Sequence, residues 1–137
     1  MSLLSRKGLL AITAVVDIAV HAAGRPVSAR KLAARHNLPA RHLEPVLQAL
    51  VRAGILKGIR GPRGGYQLGR ERRRITAEDI LRAAQSLEEE AGASVPKSPL
   101  LSQVVLPAVA QADRAYSTAL ARISVEELAL RAQAARQ

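Results

Sequence analysis

The stretch Ile55-Leu56-Lys57-Gly58-Ile59-Arg60-Gly61-Pro62-Arg63-Gly64-Gly65-Tyr66-Gln67-Leu68-Gly69 decides how this chain is read. Two short strand-like runs, 55–59 and 65–68, flank a turn rich in glycine and arginine. Gly61, Gly64 and Gly65 permit positive φ at the tip and Pro62 stiffens it, so the stretch reads as a β-hairpin. A hairpin carrying Arg60 and Arg63 at its tip suits few tasks, and gripping the sugar-phosphate backbone of a duplex leads among them. Three helix-like segments precede it. Three small helices followed by such a hairpin make a winged helix-turn-helix.

Working back from the hairpin, Ser5 can cap a helix running to about Ala23, with Leu9, Ile12, Val16, Ala19 and Val20 on one face. Gly24-Arg25-Pro26 ends it. Ser28 caps a second helix, with Leu32 and Ala33 facing inward and Arg30, Lys31 and Arg35 outward. Asn37-Leu38-Pro39 is the turn. A third helix starts near Ala40, buries Leu43, Val46, Leu47, Leu50 and Val51, and stops at Gly54. Pro45 is tolerable if regular helix begins close to Arg41, because the first four helical N–H groups lack an intrahelical partner.

Working forward, Arg70 to Arg74 form a basic link, and Thr76 can cap a fourth helix ending in Glu88-Glu89-Glu90. Carboxylates at a helix C-terminus oppose the dipole, so that end should fray into a loop over 91–97. Ser98-Pro99 opens a long helix to about Arg122, with Pro107 expected to kink it. Its apolar positions Leu101, Val105, Ala108, Val109, Ala112, Tyr116, Ala119, Leu120 and Ile123 recur at steps of three and four. That is more apolar surface than a small winged domain can cover, which points to a dimer seam formed by Leu101, Val105, Val109, Ala112, Tyr116, Leu120 and Ile123. Ser124 caps a last helix over 125–135. The expected fold is mostly α with a small β wing: a winged domain over 1–74, a connecting helix and loop over 75–97, and a dimerisation unit over 98–137.

Composition narrows the function classes. With 137 residues, 48% of them hydrophobic, the chain supports one folded domain with an appendage. No charge-free apolar run approaches the ~18 residues of a membrane span, and residues 8–16 lead into Asp17 and His21 without a signal-peptide cleavage site. Cysteine is absent, which removes disulfides, thiolate metal sites and thiol redox chemistry and suggests the cytoplasm. Residues 1–74 hold 15 Lys/Arg against three acids, a net of +12, whereas residues 75–137 hold six against eight, a net of −2. A basic half joined to a near-neutral half fits a nucleic-acid-binding module followed by an oligomerisation module. His21, His36 and His42 are scattered, with no metal-ligand spacing and no neighbouring nucleophile and carboxylate, so nothing here suggests catalysis. The glycines of the hairpin do not spell a phosphate loop.

With these pieces in place the chain resembles the Rrf-two family of bacterial transcription regulators, the IscR, NsrR and CymR type. The resemblance rests on Leu4-Ser5-Arg6-Lys7-Gly8 through Ala19, on Pro26-Val27, Leu43-Glu44, and Leu50-Val51-Arg52-Ala53-Gly54, and on the run from Arg60 to Tyr66 followed by Ile75-Thr76. It implies a homodimer joined by the long helix, with two winged domains reading a dyad-symmetric operator in double-stranded DNA. Many members hold an iron-sulfur cluster through three cysteines after the fourth helix. Here 91–103 contains neither cysteine nor histidine, so that role is not carried over and no cofactor or metal is expected.

Candidate DNA contacts follow from position. Arg41 and His42 open the recognition helix, where Arg suits guanine O6/N7, although Arg41 could equally touch phosphate. Gln48 could address adenine but lies about two turns in. Glu44 would either accept a hydrogen bond from cytosine N4, as the family pattern suggests, or pair with a nearby Arg. Arg60, Arg63 and Gly64 form the wing tip, and Tyr66 serves there as a contact or as a hairpin packing residue. Ser28, Arg30 and Lys31 could bind phosphate at the second helix's N-terminus, with Arg6 and Lys7 doing so from the first. A protein-interaction scaffold and a sequence-independent nucleic-acid binder remain as alternatives. An effector, if one exists, would be a small ligand between the winged unit and the dimer helix or a protein partner.

Overall fold

The computed structural model describes residues 5–21, 24–90 and 98–135, with the side chains of 88–90 outside the description. Its elements are α1 (Arg6–His21), α2 (Ala29–His36), α3 (Ala40–Arg52), β1 (Leu56–Ile59), β2 (Gly65–Leu68), α4 (Ala77–Glu90), α5 (Leu106–Ala121) and α6 (Val125–Ala135). A 3-10 turn over Arg72–Arg74 precedes α4, and a π-helical turn over Leu101–Val105 leads into α5. No helix among the described residues is long and apolar enough to cross a membrane.

Four helix starts are set by short polar side chains. Gly8 N–H donates to Ser5 Oγ at 3.0 Å, Lys31 N–H to Ser28 Oγ at 3.1 Å, and Glu127 N–H to Ser124 Oγ at 3.1 Å. At α4 the arrangement is reciprocal: Asp79 N–H donates to Thr76 Oγ1 and Thr76 N–H to Asp79 Oδ2, both at 3.1 Å. Each such cap stabilises its helix by about 1 kcal/mol. The helix-turn-helix corner is equally local in origin. Asn37 adopts the left-handed conformation (φ 52°, ψ 48°), and Leu38 N–H reaches back to the Ala33 carbonyl at 2.9 Å. Gly54, at φ 77°, ends α3 in the same way, with Ile55 N–H donating to the Leu50 carbonyl at 3.0 Å.

Helix α1 lies at the centre, packing against α2, α3, α4, α6 and β2. Its buried Ala11, Ala14, Val15 and Ile18 meet Leu43, Val46, Leu47 and Leu50 of α3 and Ile80 and Ala84 of α4 in one cluster. Val125 of α6 and Ile75 belong to that cluster too, so the core is continuous across residue 74. With no Phe or Trp in the chain, closely approaching alanines and Leu/Ile/Val fill the space. Each fully buried Leu contributes roughly 1.5–3 kcal/mol.

The hairpin is antiparallel, with Leu56 opposite Leu68 and Ile59 opposite Gly65. Ile55 is not part of the strand; it is buried in the core and closes the α3 cap. Val27 extends the sheet, exchanging hydrogen bonds of 2.9 and 2.8 Å with Tyr66. Gly65 makes that approach feasible, since a Cβ there would lie 2.5 Å from the Val27 carbonyl oxygen.

Three expectations need correction. Pro45 sits inside α3 rather than at the edge of its first turn, so the Arg41 carbonyl loses the N–H donor that residue 45 would supply in a regular helix. Arg35 does not point outward; it turns back onto α1. The long helix is not merely kinked at Pro107. Proline lacks the N–H that the Gln103 carbonyl would use, and the preceding turn widens so that Leu106 N–H donates to the Leu101 carbonyl. The expected loop 91–97 and the end of the first helix at residues 22–23 lie outside the described residues.

Candidate nucleic-acid interface

The starts of α1 and α3 come together. Arg6 and Lys7 from the first turn of α1 and Arg41 and His42 from the first turn of α3 line one groove of about 310 Å3, floored by Leu10, Pro45 and Val46. No acid lines it, so three permanent positive charges converge there. Leu43, Val46, Leu47 and Leu50 pin the inner face of α3, leaving Arg41, His42, Glu44 and Gln48 on its exposed face. That face meets the wing: Gln48 Nε2 donates to the Tyr66 hydroxyl at 3.4 Å. Tyr66 is partly buried against the core, so its ring packs while its hydroxyl reaches α3.

At the wing tip, Arg60 and Arg63 are exposed and flank a turn closed by Gly64 N–H donating to the Gly61 carbonyl at 2.9 Å. Gly64 is required by space: a Cβ would fall 2.1 Å from the Ile59 carbonyl oxygen. Arg30 and Lys31 are exposed on the first turn of α2, whereas the Ser28 hydroxyl is occupied as its cap. Glu44 is exposed and pairs with no described residue, so the Arg partner weighed for it is not there. Elsewhere arginines are neutralised locally, Arg73 by Glu71 at 2.6 Å, Arg131 by Glu127 at 3.0 Å, and Arg82 by Glu78.

The seam residues divide. Val105, Val109 and Ala112 are exposed, while Leu101, Tyr116, Leu120 and Ile123 are partly covered within the chain, where α5 touches α4. No residue of α5 is buried. The π turn inserts one residue, and Leu100, Val104 and Leu106 join the exposed apolar surface at 65%, 56% and 48% exposure.

A cluster that sequence spacing did not reveal lies on the other side of α2. Asp17 of α1, its side chain only 1% exposed, accepts from Arg35 Nε at 2.9 Å and Nη2 at 2.7 Å, and from His36 Nε2 at 2.6 Å. His21 Nδ1 lies 3.5 Å from the same carboxylate. Burial alone would raise the Asp17 carboxyl, but the hydrogen bonds from Arg35 and His36 and the charge of Arg35 outweigh it, leaving it below its ordinary value. The same bond holds Arg35 above its own. So two of the three histidines sit beside a carboxylate that already carries a guanidinium on both of its oxygens. The contact joins α1 to the last turn of α2, immediately before the corner that launches α3.

A family model described as Rrf2, Iron-dependent Transcriptional regulator, matches residues 4–131. The structure of CymR, the global cysteine regulator of B. subtilis, superposes with a TM-score of 0.72 at 29% identity, covering 94% of this chain and 97% of that one. That of T. potens IscR gives 0.75 at 29% identity, covering 98% and 90%. In sequence, CymR of Bacillus subtilis is 38% identical over 82 residues, 60% of this chain and 59% of its own length. IscR of Xenorhabdus nematophila is 35% identical over 80 residues, 58% and 49%. The match thus spans about half the length of those curated relatives. The iron in the family's description finds no fitting site: the chain has no cysteine, and no group of three or more His, Asp or Glu side chains among the described residues could hold a metal. Family match, winged architecture and superposition agree that this chain belongs to the Rrf2 family of transcriptional regulators.

Proposed function

We propose that the chain is a sequence-specific DNA-binding repressor that acts as a homodimer on a dyad-symmetric operator, without an iron-sulfur cluster. The observation that carries this reading is the pairing of an acid-free groove under Arg6, Lys7, Arg41 and His42 with an α5 in which no residue is fully buried. The first supplies a duplex-facing cationic surface; the second requires a partner, and an identical helix is the self-complementary one. Arg41, His42, Glu44 and Gln48 would face the major groove, with base contacts from Arg41 and Glu44 setting sequence preference. Arg60 and Arg63 would hold phosphate or the minor groove, with Arg30, Lys31, Arg6 and Lys7 adding backbone contacts.

Selection of bound duplexes from a random pool tests the whole reading. The expected product is an inverted repeat with half-sites about 10 bp or a multiple apart, bound by two chains and resistant to excess random DNA. A selected pool with no common sequence would leave only sequence-independent binding. Failure to retain duplex at low salt would favour a protein-interaction scaffold.

A further inference from the structure

An open groove of about 740 Å3 runs between α1, α2 and α6 and shares no lining residue with the groove under Arg41. That volume lies within the several hundred to about 1,000 Å3 of typical small-molecule sites. Its walls are chemically divided. Ile12, Val16 and Val20 of α1 face Leu128 and Ala132 of α6 along one part. Arg35 and His36 of α2, with Asp17 and His21 of α1, form the polar side, and Arg131 lies on the α6 side. Ile12, Val16 and Val20 recur every four residues and so form one apolar stripe of about 12 Å along α1, beside the stripe of Thr13, Asp17 and His21.

The polar side is cationic toward a ligand. Asp17 is nearly fully covered and takes Nε and Nη2 of Arg35, so Nη1 has no partner among the described residues. A guanidinium carries five N–H donors, and this one is one-third exposed. An apolar stripe flanked by a half-satisfied guanidinium matches a small organic acid with an alkyl or aryl body, the carboxylate forking onto Arg35.

We propose that this groove binds such an apolar carboxylate as an effector. Its location supplies the coupling. Arg35 and His36 are the last residues of α2, and Asn37-Leu38-Pro39 leads from them directly into α3. A carboxylate drawing on Arg35 competes with Asp17 for the same side chain, loosens the tie between α1 and α2, and shifts the corner that aims the recognition helix. Alpha-six, the other wall, follows α5, so the occupant also touches the unit that sets the spacing of two winged domains. The effector role rests on the DNA-binding reading above, whereas occupancy of the groove does not.

The test uses the full chain with octanoate as probe and octan-1-ol and octylamine as uncharged and cationic counterparts, by calorimetric titration. Saturable binding of one octanoate per chain is expected, at least tenfold tighter than either counterpart. Thr13→Trp and Ala132→Trp each place a bulky ring in the groove from a position that is not buried, and should abolish it while leaving operator binding unchanged. Operator affinity of the unmodified chain should fall at least about fivefold on saturation, the lower end of ordinary coupling. Equal binding of octanol, or octanoate binding indifferent to both tryptophan variants, overturns the site. Saturable binding with unaltered operator affinity overturns the effector role. A chain that never binds a selected duplex but still takes octanoate refutes the DNA reading instead.

Discussion

Helices α3 and α5 carry the same kind of message and meet different fates. Both show apolar residues at steps of three and four. In α3 that stripe is consumed: Leu43, Val46, Leu47, Ala49 and Leu50 are all buried, and the polar remainder is left outside. In α5 no side chain is buried, and Val109, in the middle of the stripe, is 51% exposed. Periodicity therefore reports that a helix has an apolar face, not where its partner is. Alpha-three finds α1, α4 and β1 within the chain; α5 touches little besides α4 and the turn that precedes it. An apolar patch of that kind on a folded chain marks an interaction site.

The sharpest way to break the contrast is a charge in the α5 stripe. Val109→Asp should convert a dimer to a monomer by sedimentation while leaving the helical spectrum intact, because Val109 supports no core contact. Losing the second half-site should reduce operator affinity by about 100- to 10,000-fold, the usual worth of linked binding. A monomeric unmodified chain, or a dimer indifferent to the charge, would remove the seam from α5.

What could be read beforehand sorts by range. The caps at Ser5, Ser28, Thr76 and Ser124, the Asn37 corner and the glycine-built wing all depend on residues within a few positions of each other, and the amino acids that form them are chemically distinctive. The joint groove of Arg6, Lys7, Arg41 and His42 was half legible: each cation stood at a helix start, but their convergence depends on how α1 crosses α3. The Asp17 cluster was illegible from spacing, since its partners lie 18 and 19 residues away. One signal was available, as Asp17 interrupts an otherwise apolar face of α1, and a buried carboxylate must find a cation. The π turn before Pro107 is a backbone adjustment, which side-chain periodicity does not encode.

Asp17 sharpens the comparison from the other side, because its loss should damage folding rather than assembly. Asp17→Asn removes the charge that Arg35 and His36 surround. The expected cost is near the lower end of the ~3–5 kcal/mol for breaking a buried pair, since Arg35 is one-third exposed and can turn to solvent. The pH dependence has a definite sign. The folded carboxyl lies below its ordinary value, so it contributes stability above the unfolded value near about 3.9, and that contribution is lost as pH falls through the folded one. Denaturant titrations from pH 6 downward should show the unmodified chain losing stability across that acid window, and Asp17→Asn losing less. Parallel curves for the two would show that Asp17 is not held ionised by its neighbours.

The smallest expected effects separate the recognition helix from the wing. Arg41 stands on a helix whose inner face is pinned by five buried side chains, so its guanidinium is delivered at a defined angle. Arg63 stands exposed on a glycine-flanked tip, and its guanidinium forms no ion pair with any described residue. Arg41→Ala should therefore cost about 1–3 kcal/mol on the operator and less on random duplex. Arg63→Ala should weaken both duplexes alike and lower the slope of log K against log salt by about one unit, as a lost phosphate contact does. Binding isotherms for both variants on both duplexes at several salt concentrations make the distinction. If Arg41→Ala flattens the salt slope without changing preference while Arg63→Ala erases preference, a rigid helix and a compliant tip have exchanged the roles that their packing implies, and α3 is not the reading element.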